Sequence, residues 1–327
     1  MPRRKPKVPP APLPQRDGID PVRLRLPLDG AWDTVRAHLL DRLPVGEEIV
    51  DAMLGRGEVA GTDGPLTATT PYTGGAYVWF HRPHAPEPPV PFPLTVLHRD
   101  EHLVVADKPH FLATTPRGSH ITETALARLR RDLGLPELTP AHRLDRLTAG
   151  VVMFTVRPRD RGAYQRLFHD KQVRKEYEAV AAYAPQLALP RTVRSRIQKD
   201  RGVIAAYELP GEPNSESLIE QVEHRMGGPD GPLARYRLLP RTGRTHQLRV
   251  HMNALGIPIL GDPVYPVVTD PAPDDFTRPL QLLARVLEFT DPLTGHEHRF
   301  ESRRTLGAWT DYTGWAGLPE RSAGSPV

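Results

Sequence analysis

The chain has 327 residues, 39% of them hydrophobic, with no cysteine and a formal net charge of +4. That apolar content supports a packed core and argues against global disorder. Disulfides, thiol nucleophiles and cysteine-ligated zinc are excluded, so any catalysis rests on oxygen or nitrogen groups.

Residues 1–20 are rich in proline and charge and read as a disordered basic tail. The stretch "MPRRKPKVPPAPLPQRDG" lacks the apolar segment of a signal peptide, and no apolar run approaches about 18 residues, so a cytoplasmic protein is expected. Residues 21–81 form a small unit. In it "AWDTVRAHLLDRL" places Trp32, Val35, Leu39, Leu40 and Leu43 at helical spacing, and "EEIVDAMLGRG" is a second helix stopped by Gly55 and Gly57. Residues 82–92 are a Pro-rich linker of polyproline II character.

The large unit spans 93–318, with 319–327 as a frayed tail. Strand signals recur at "LTVLHRD", "HLVVADK", "GVVMFTV", "YEAVAAY", "ARYRLLP" and "LQLLARVLEF", and helical patterns at "TETALARLRRDLG", "DRGAYQRLFHDKQ" and "RTHQLRVHMNALG". This mixture is not a regular βαβ alternation. It predicts an α+β fold with a mostly antiparallel mixed sheet. Gly202 to Pro232, rich in Gly, Pro and acids, reads mostly as a loop-bearing excursion.

Charge is uneven along the chain. Arg3, Arg4, Lys5 and Lys7 alone balance the net excess, yet residues 141–201 hold 14 Lys and Arg against 6 Asp and Glu. Such a block is the footprint of a polyanion partner. A solvated surface in an Arg-rich chain explains it equally well.

Familiar signatures are absent. No phosphate loop, strand-borne G-x-G-x-x-G or G-x-S-x-G elbow occurs. His246 and His251 are five apart without an H-E-x-x-H, so hydrogen bonding and packing are favoured over metal ligation. His81, His84, His296 and His298 read as surface or strand histidines.

Two stretches carry candidate chemistry. In "AHRLDRLTAG" a lone acid, Asp145, precedes the apolar run "VVMF", where desolvation penalises its charge unless a cation lies near. Arg143 shares its face only if the chain is extended, and Arg146 points elsewhere. The competing reading is that Asp145 caps a turn completed by Thr148, Ala149 and Gly150. The second stretch is "PRTGRTHQLRVHMNALGIPILGDPVY". It predicts a helix with Thr245 as N-cap, ended by Gly256 and Pro258. His246, Arg249, Val250 and Asn253 share a face of it. A half-buried Arg249 needs a carboxylate, for which Asp145 is the candidate, or else it snorkels to water.

These segments carry a family resemblance. "HRLDRLTAG", "KEYEAVAA" and "RTGRTHQLRVHMNALGIPILGDPVY" resemble, in that order, three motifs of the RluA-type pseudouridine synthases, and "DEHLVVADKPHFLATTP" resembles the strand and turn that open their catalytic domain. The resemblance covers roughly residues 93–290. It implies the pseudouridine synthase fold and an isomerase of rRNA or tRNA that breaks the N1–C1′ bond of uridine, turns the base and joins C5 to C1′. It implies no metal, nucleotide or redox cofactor, and no required protein partner.

By the same resemblance Asp145 is the catalytic carboxylate, acting either as nucleophile at C1′ or as base toward the 2′ proton. Arg249 is its ion-pair partner. Tyr177 stacks on the flipped uracil, against a plain core-packing role for a strand tyrosine. Arg143 fills the space the extruded base leaves, and His142, Arg244 and His246 join it in binding substrate. Other arginines between 157 and 201 contact phosphates.

The chain departs from the family in two places. Ala149 stands where serine is common, and "ADKPHF" replaces the usual "NKP-x-G", with His110 and Phe111 in the small-residue positions. The segment 21–81 resembles an S4-like RNA-binding module, although Glu47, Glu48 and Asp51 make it acidic. Two rivals stand beside the enzyme: a catalytically silent RNA-binding or ribosome-assembly protein on the same fold, and a glycoside hydrolase. The latter needs two carboxyls about 5–9.5 Å apart, and no second acid is counted within the motifs.

Overall fold

In the computed structural model the chain divides into two units, Met1–Glu87 and Pro88–Val327. The residues described are 9–228 and 231–317. The expected N-terminal tail lies partly, and the C-terminal tail 319–327 wholly, outside them. No helix among the described residues is long and apolar enough to cross a membrane.

The first unit runs β1 (Val22–Arg25), α1 (Val35–Arg42), α2 (Glu47–Gly55), β2 (Val59–Gly61), β3 (Gly64–Pro65) and β4 (Tyr77–Phe80). Its sheet has the order β1-β4-β2-β3. Thr34 caps α1 by accepting from the Ala37 amide at 3.1 Å, satisfying one orphan donor of the first turn. The apolar stripes meet in a core of Leu26, Val35, Leu39, Val50, Met53, Val59, Val78 and Phe80. Arg36 of α1 pairs with both Glu47 and Asp51 of α2, so part of the acidic helix face is offset within the unit.

The second unit carries β5 (Thr95–Arg99), β6 (Leu103–Lys108), α3 (Ala125–Leu133), β7 (Thr139–Pro140), β8 (Ala149–Thr155), α4 (Arg161–His169), β9 (Arg174–Ala182), β10 (Arg191–Gln198), β11 (Tyr207–Leu209), β12 (Ser215–Gly228), β13 (Gly231–Pro240), α5 (Gln247–Ala254), β14 (Leu282–Thr290), β15 (Glu297–Glu301), α6 (Gly307–Thr310) and α7 (Tyr312–Ala316). One large sheet has the order β11-β10-β12-β13-β9-β14-β8-β6-β5, with β15 beside β14 and β7 beside β8. Its ladders are antiparallel except for β14 on β8.

Every residue of β6 and β8 is buried, because helices cover both faces of the sheet there. Val104, Ala106, Val152 and Phe154 pack with α3, while Leu103, Val105, Val151 and Met153 pack with Tyr164 and Leu167 of α4. Further along the sheet, Leu248 and Met252 of α5 close over Ala179, Ala181, Tyr236 and Leu238.

Two expectations need correction. Gly202 to Pro232 is not mainly a loop: it holds β11 and most of the long β12–β13 hairpin. The inward residues that open β12 are Ser215, Ser217 and Ile219, so its alternation is partly polar and hidden in the sequence. Nor is Thr245 the N-cap of α5. His246 occupies that position with φ 57° and makes no side-chain cap bond.

Gly150 sets the close approach of β8 to β14. Its φ of 114° lies outside the range of ordinary side chains, and a Cβ there would overlap the Ala284 carbonyl. Gly150→Ala is expected to destabilise the protein by about 3 kcal/mol or more, through backbone strain and overlap together. A urea midpoint equal to that of the unaltered protein would contradict this packing.

Candidate active site

Asp145 stands in the loop between β7 and β8. The loop is closed by a backbone turn, Thr148 N–H to Asp145 C=O at 3.1 Å, rather than by the aspartate side chain. The turn foreseen around Thr148 is therefore present, but the carboxylate does not cap it. Thr114 secures the residue before it, its hydroxyl donating to the Leu144 carbonyl at 2.7 Å and accepting from the Leu144 amide at 3.1 Å. The Asp145 carboxylate, about one-third exposed, lies 3.8 Å from Nη1 of Arg249 and 4.0 Å from Nε2 of His246.

Arg249 does not snorkel: its side chain is only 2% exposed. Its principal partner is not Asp145 but Asp262. Nε and Nη2 of Arg249 donate to the two Asp262 oxygens at 2.7 and 2.6 Å, the bidentate fork that suits a guanidinium. Asp262 is fully buried and also accepts from the amides of Val264 at 2.9 Å and Tyr265 at 3.2 Å. Burial opposes the charge on Arg249, and Asp262 more than offsets that, holding its pKa above the ordinary arginine value. Contrary to expectation the motifs hold further acids: Asp262 in the third, its lone pairs spent on this structural fork, and Glu176 and Glu178 in the second, paired with Arg174 and Arg285.

The other predicted residues gather around this pair. His246 turns its Nδ1 to the Tyr265 hydroxyl at 3.0 Å, and burial pushes its imidazole down to about 4, against the upward pull of Asp145. Tyr177, on β9, packs against the cores on either side, and its hydroxyl has no hydrogen-bond partner among the described residues. Burial, then the nearby Asp145 charge, raises its pKa, keeping the phenol protonated. His142 stacks on Phe168 at 4.5 Å and accepts from the Met153 amide at 3.2 Å. Burial, then Lys175, pushes it down to about 3, so it is a neutral, fixed ring. Arg143 is exposed, and neither it nor Arg146 has an ion-pair partner among the described residues. Arg244 donates through Nε to the Asn214 carbonyl at 3.3 Å.

All of these line one cleft of about 900 Å³. Among its described lining residues are eight Lys and Arg, and Asp145 is the only acid. Such a wall concentrates polyanions and orients a single carboxylate within it. Among the described residues no three His, Asp or Glu side chains gather as a metal site.

Gln247 escaped the sequence reading. Its Oε1 accepts from the Thr242 hydroxyl at 2.7 Å and the Arg244 amide at 3.0 Å, and its Nε2 donates to Glu216 C=O at 2.9 Å and Ser217 Oγ at 2.8 Å. A Gln three residues after a loop residue at a helix start was the available signal, since such a side chain reaches back to orphan amides. For Asp262 the signal was an acid after Gly261 in the apolar run "IPILGD". Asp262→Ala strands the Arg249 charge in the interior, and a stability loss of about 3–5 kcal/mol is expected in urea denaturation. A loss below about 1 kcal/mol would show that Arg249 does not depend on this partner.

Comparisons with known proteins bear on the family and the fold. A model of the RNA pseudouridylate synthase family matches residues 102–254. The dual-specificity RNA pseudouridine synthase RluA of Escherichia coli (strain K12) is 33% identical over 215 residues, covering 64% of this chain and 92% of that protein. RluA of Haemophilus influenzae is 29% identical over 227 residues, covering 66% and 95%. Pseudouridylate synthase RPUSD2 of Homo sapiens is 34% identical over 193 residues, covering 56% of this chain, which spans only 33% of that longer protein. The solved structure of Human RNA Pseudouridylate Synthase Domain Containing 1 aligns with a TM-score of 0.51 at 22% identity over 70% of this chain and 97% of that one, a likeness of fold. A chain that covers nine-tenths of an RluA at one-third identity, on the pseudouridylate synthase fold, belongs to the RluA-type RNA pseudouridine synthases, which are isomerases.

Proposed function

We propose that this protein isomerises specific uridines of ribosomal or transfer RNA, with Asp145 as the reacting carboxylate. The observation that carries the reading is the solitary acid in a basic cleft, 3.8 Å from a buried arginine whose charge is secured elsewhere. Two routes use the same carboxylate. In one, an Asp145 oxygen bonds to C1′ as the N1–C1′ bond breaks, the uracil turns, and C5 displaces the aspartate. In the other, Asp145 removes the 2′ proton as the N1–C1′ bond breaks, giving a glycal and free uracil; C5 then bonds to C1′ and Asp145 returns the proton to C2′. Both end with loss of the C5 proton and a proton on N1.

Arg249 orients the carboxylate. Tyr177 offers a protonated phenol and a ring face on which an unstacked uracil rests; such stacking is worth about 1–3 kcal/mol per base. Arg143, exposed at the cleft mouth, takes the place of the extruded base, and His142, Arg244 and His246 line the substrate. The protein works in the cytoplasm as a monomer. The first unit serves as an S4-like module whose acidic helix face, partly offset by Arg36, favours a structural role over strong RNA affinity. The presence of Asp145, Tyr177 and Arg249 together weighs against a silent RNA-binding protein.

Pseudouridine mapping in total RNA from a strain lacking the protein, against its parent, is expected to show a lost site that names the substrate. No lost site would favour the silent reading. Asp145→Asn is expected to abolish isomerisation while RNA binding persists, so turnover by that variant would overturn the assignment. Lys171, at the cleft, has no ion-pair partner among the described residues. Lys171→Gln is expected to lower the slope of log affinity against log salt by about one unit. An unchanged slope would place the RNA backbone elsewhere.

A further inference from the structure

The four carbonyls of the Asp145 loop can be accounted for one by one. Leu144 C=O accepts from the Thr114 hydroxyl at 2.7 Å. Asp145 C=O accepts from the Thr148 amide at 3.1 Å. Arg146 C=O accepts from the Lys108 ammonium at 3.2 Å. Leu147 C=O accepts from Nδ1 of His110 at 2.7 Å. Three of the four donors are side chains of one short segment, 108–114, at the end of β6.

No other side chain of that segment has a donor to spare for Leu147. Lys108 is fully buried, and its Nζ also faces Pro109 C=O at 3.0 Å and Leu112 C=O at 2.7 Å, so three carbonyls already take every hydrogen it can offer, charged or neutral. The Thr114 hydroxyl has a single hydrogen, already given to Leu144. The His110 bond fixes its tautomer, since a ring nitrogen facing a carbonyl must carry the proton. Burial pushes this imidazole down to about 4, so the ring is neutral and its Nδ1–H is the only proton it offers.

The neighbouring residue holds the segment in place. Phe111 has φ 65°, a left-handed conformation costly for a bulky side chain. Its ring is nevertheless buried, 6.2 Å from Phe92 and 5.4 Å from Phe276. The left-handed turn at Phe111 lies between His110, which faces Leu147, and Leu112, whose carbonyl receives Lys108.

We propose that His110 is a positioning residue for Asp145: its Nδ1–H completes a grip on the 144–147 backbone that fixes where the carboxylate stands. This rests on the catalytic reading of Asp145. Leu147 C=O, without its donor, is a part-buried acceptor left unpaired, and the loop gains freedom to move. Displacement of a reacting group by about 1 Å costs on the order of 100-fold in rate.

The test compares His110→Leu, His110→Asn and His110→Gln in the full chain. Asparagine presents its amide N–H where Nδ1 stood, whereas glutamine carries it one bond further. One readout is hydrogen exchange at the Leu144 and Thr148 amides. The other is pseudouridine formation on total RNA from a strain lacking the protein, over a range of RNA concentrations. His110→Leu is expected to exchange about tenfold faster and to lower kcat by about 10- to 100-fold at unchanged KM, with His110→Asn restoring both. Unchanged exchange in His110→Leu overturns the proposal, as does equal loss in the Leu and Asn variants. Should His110→Leu fail to fold, the Asn and Gln variants carry the comparison, and equal kcat for those two overturns it. Absence of turnover by the unaltered protein, with exchange still faster in His110→Leu, instead overturns the catalytic reading and leaves the grip standing.

Discussion

The fork between Arg249 and Asp262 is the constraint around which the cleft is built. A guanidinium that is 2% exposed cannot keep its charge on a partly solvated partner alone. Asp262, fully buried, takes two of its nitrogens and leaves Nη1 directed to Asp145. The cation is thus compensated before any reaction begins. If Asp145 forms a bond to carbon, or takes a proton, its negative charge disappears, yet Arg249 is not orphaned. A two-membered pair of Asp145 and Arg249 would have to strand one buried charge at that moment; the three-membered arrangement does not.

The sheet converts sequence distance into this proximity. Asp145 precedes β8, Tyr177 lies on β9, and His246 and Arg249 come from the start of α5. Helices pack on both faces of β6 and β8, and the side chains of 108–114 hold the loop that leads into β8. The hydrogen bonds of Gln247 join the loop before α5 to β12, so the basic wall and the carboxylate rest on the same sheet. Most of the polar groups that do this are backbone carbonyls and amides, which is why so little of the support is visible as charged motifs.

The sequence was legible where periodicity and burial coincide. The runs of β6 and β8, the stripe of α3 and the motif carrying Asp145 all announce themselves, because an apolar face must be hidden. The reading failed where inward positions are polar, as at Ser215 and Ser217 of β12, since alternation of serine with glutamate resembles a loop. The expected contact of Arg249 with Asp145 is present at 3.8 Å, but the shorter bonds go to Asp262, 13 residues downstream, which the motif does not single out. Partner choice depends on which carboxylate the turn after α5 brings within reach, and no pattern in the letters encodes that distance. Thr245 failed as a cap for a related reason: the left-handed backbone of His246 moves the helix start by one residue, and α5 begins without a side-chain cap bond while Gln247 ties down the loop before it.

The single parallel contact in the large sheet has a consequence for how the molecule comes into being. Ala149 and Gly150, which follow the Asp145 loop directly, lie against Leu283 and Ala284 of β14. Arg249 and its partner Asp262 likewise arrive long after Asp145. A chain emerging from the ribosome therefore carries the loop for more than a hundred residues before the wall behind it exists. The carboxylate gains its final surroundings only once Asp262 and β14 have been made.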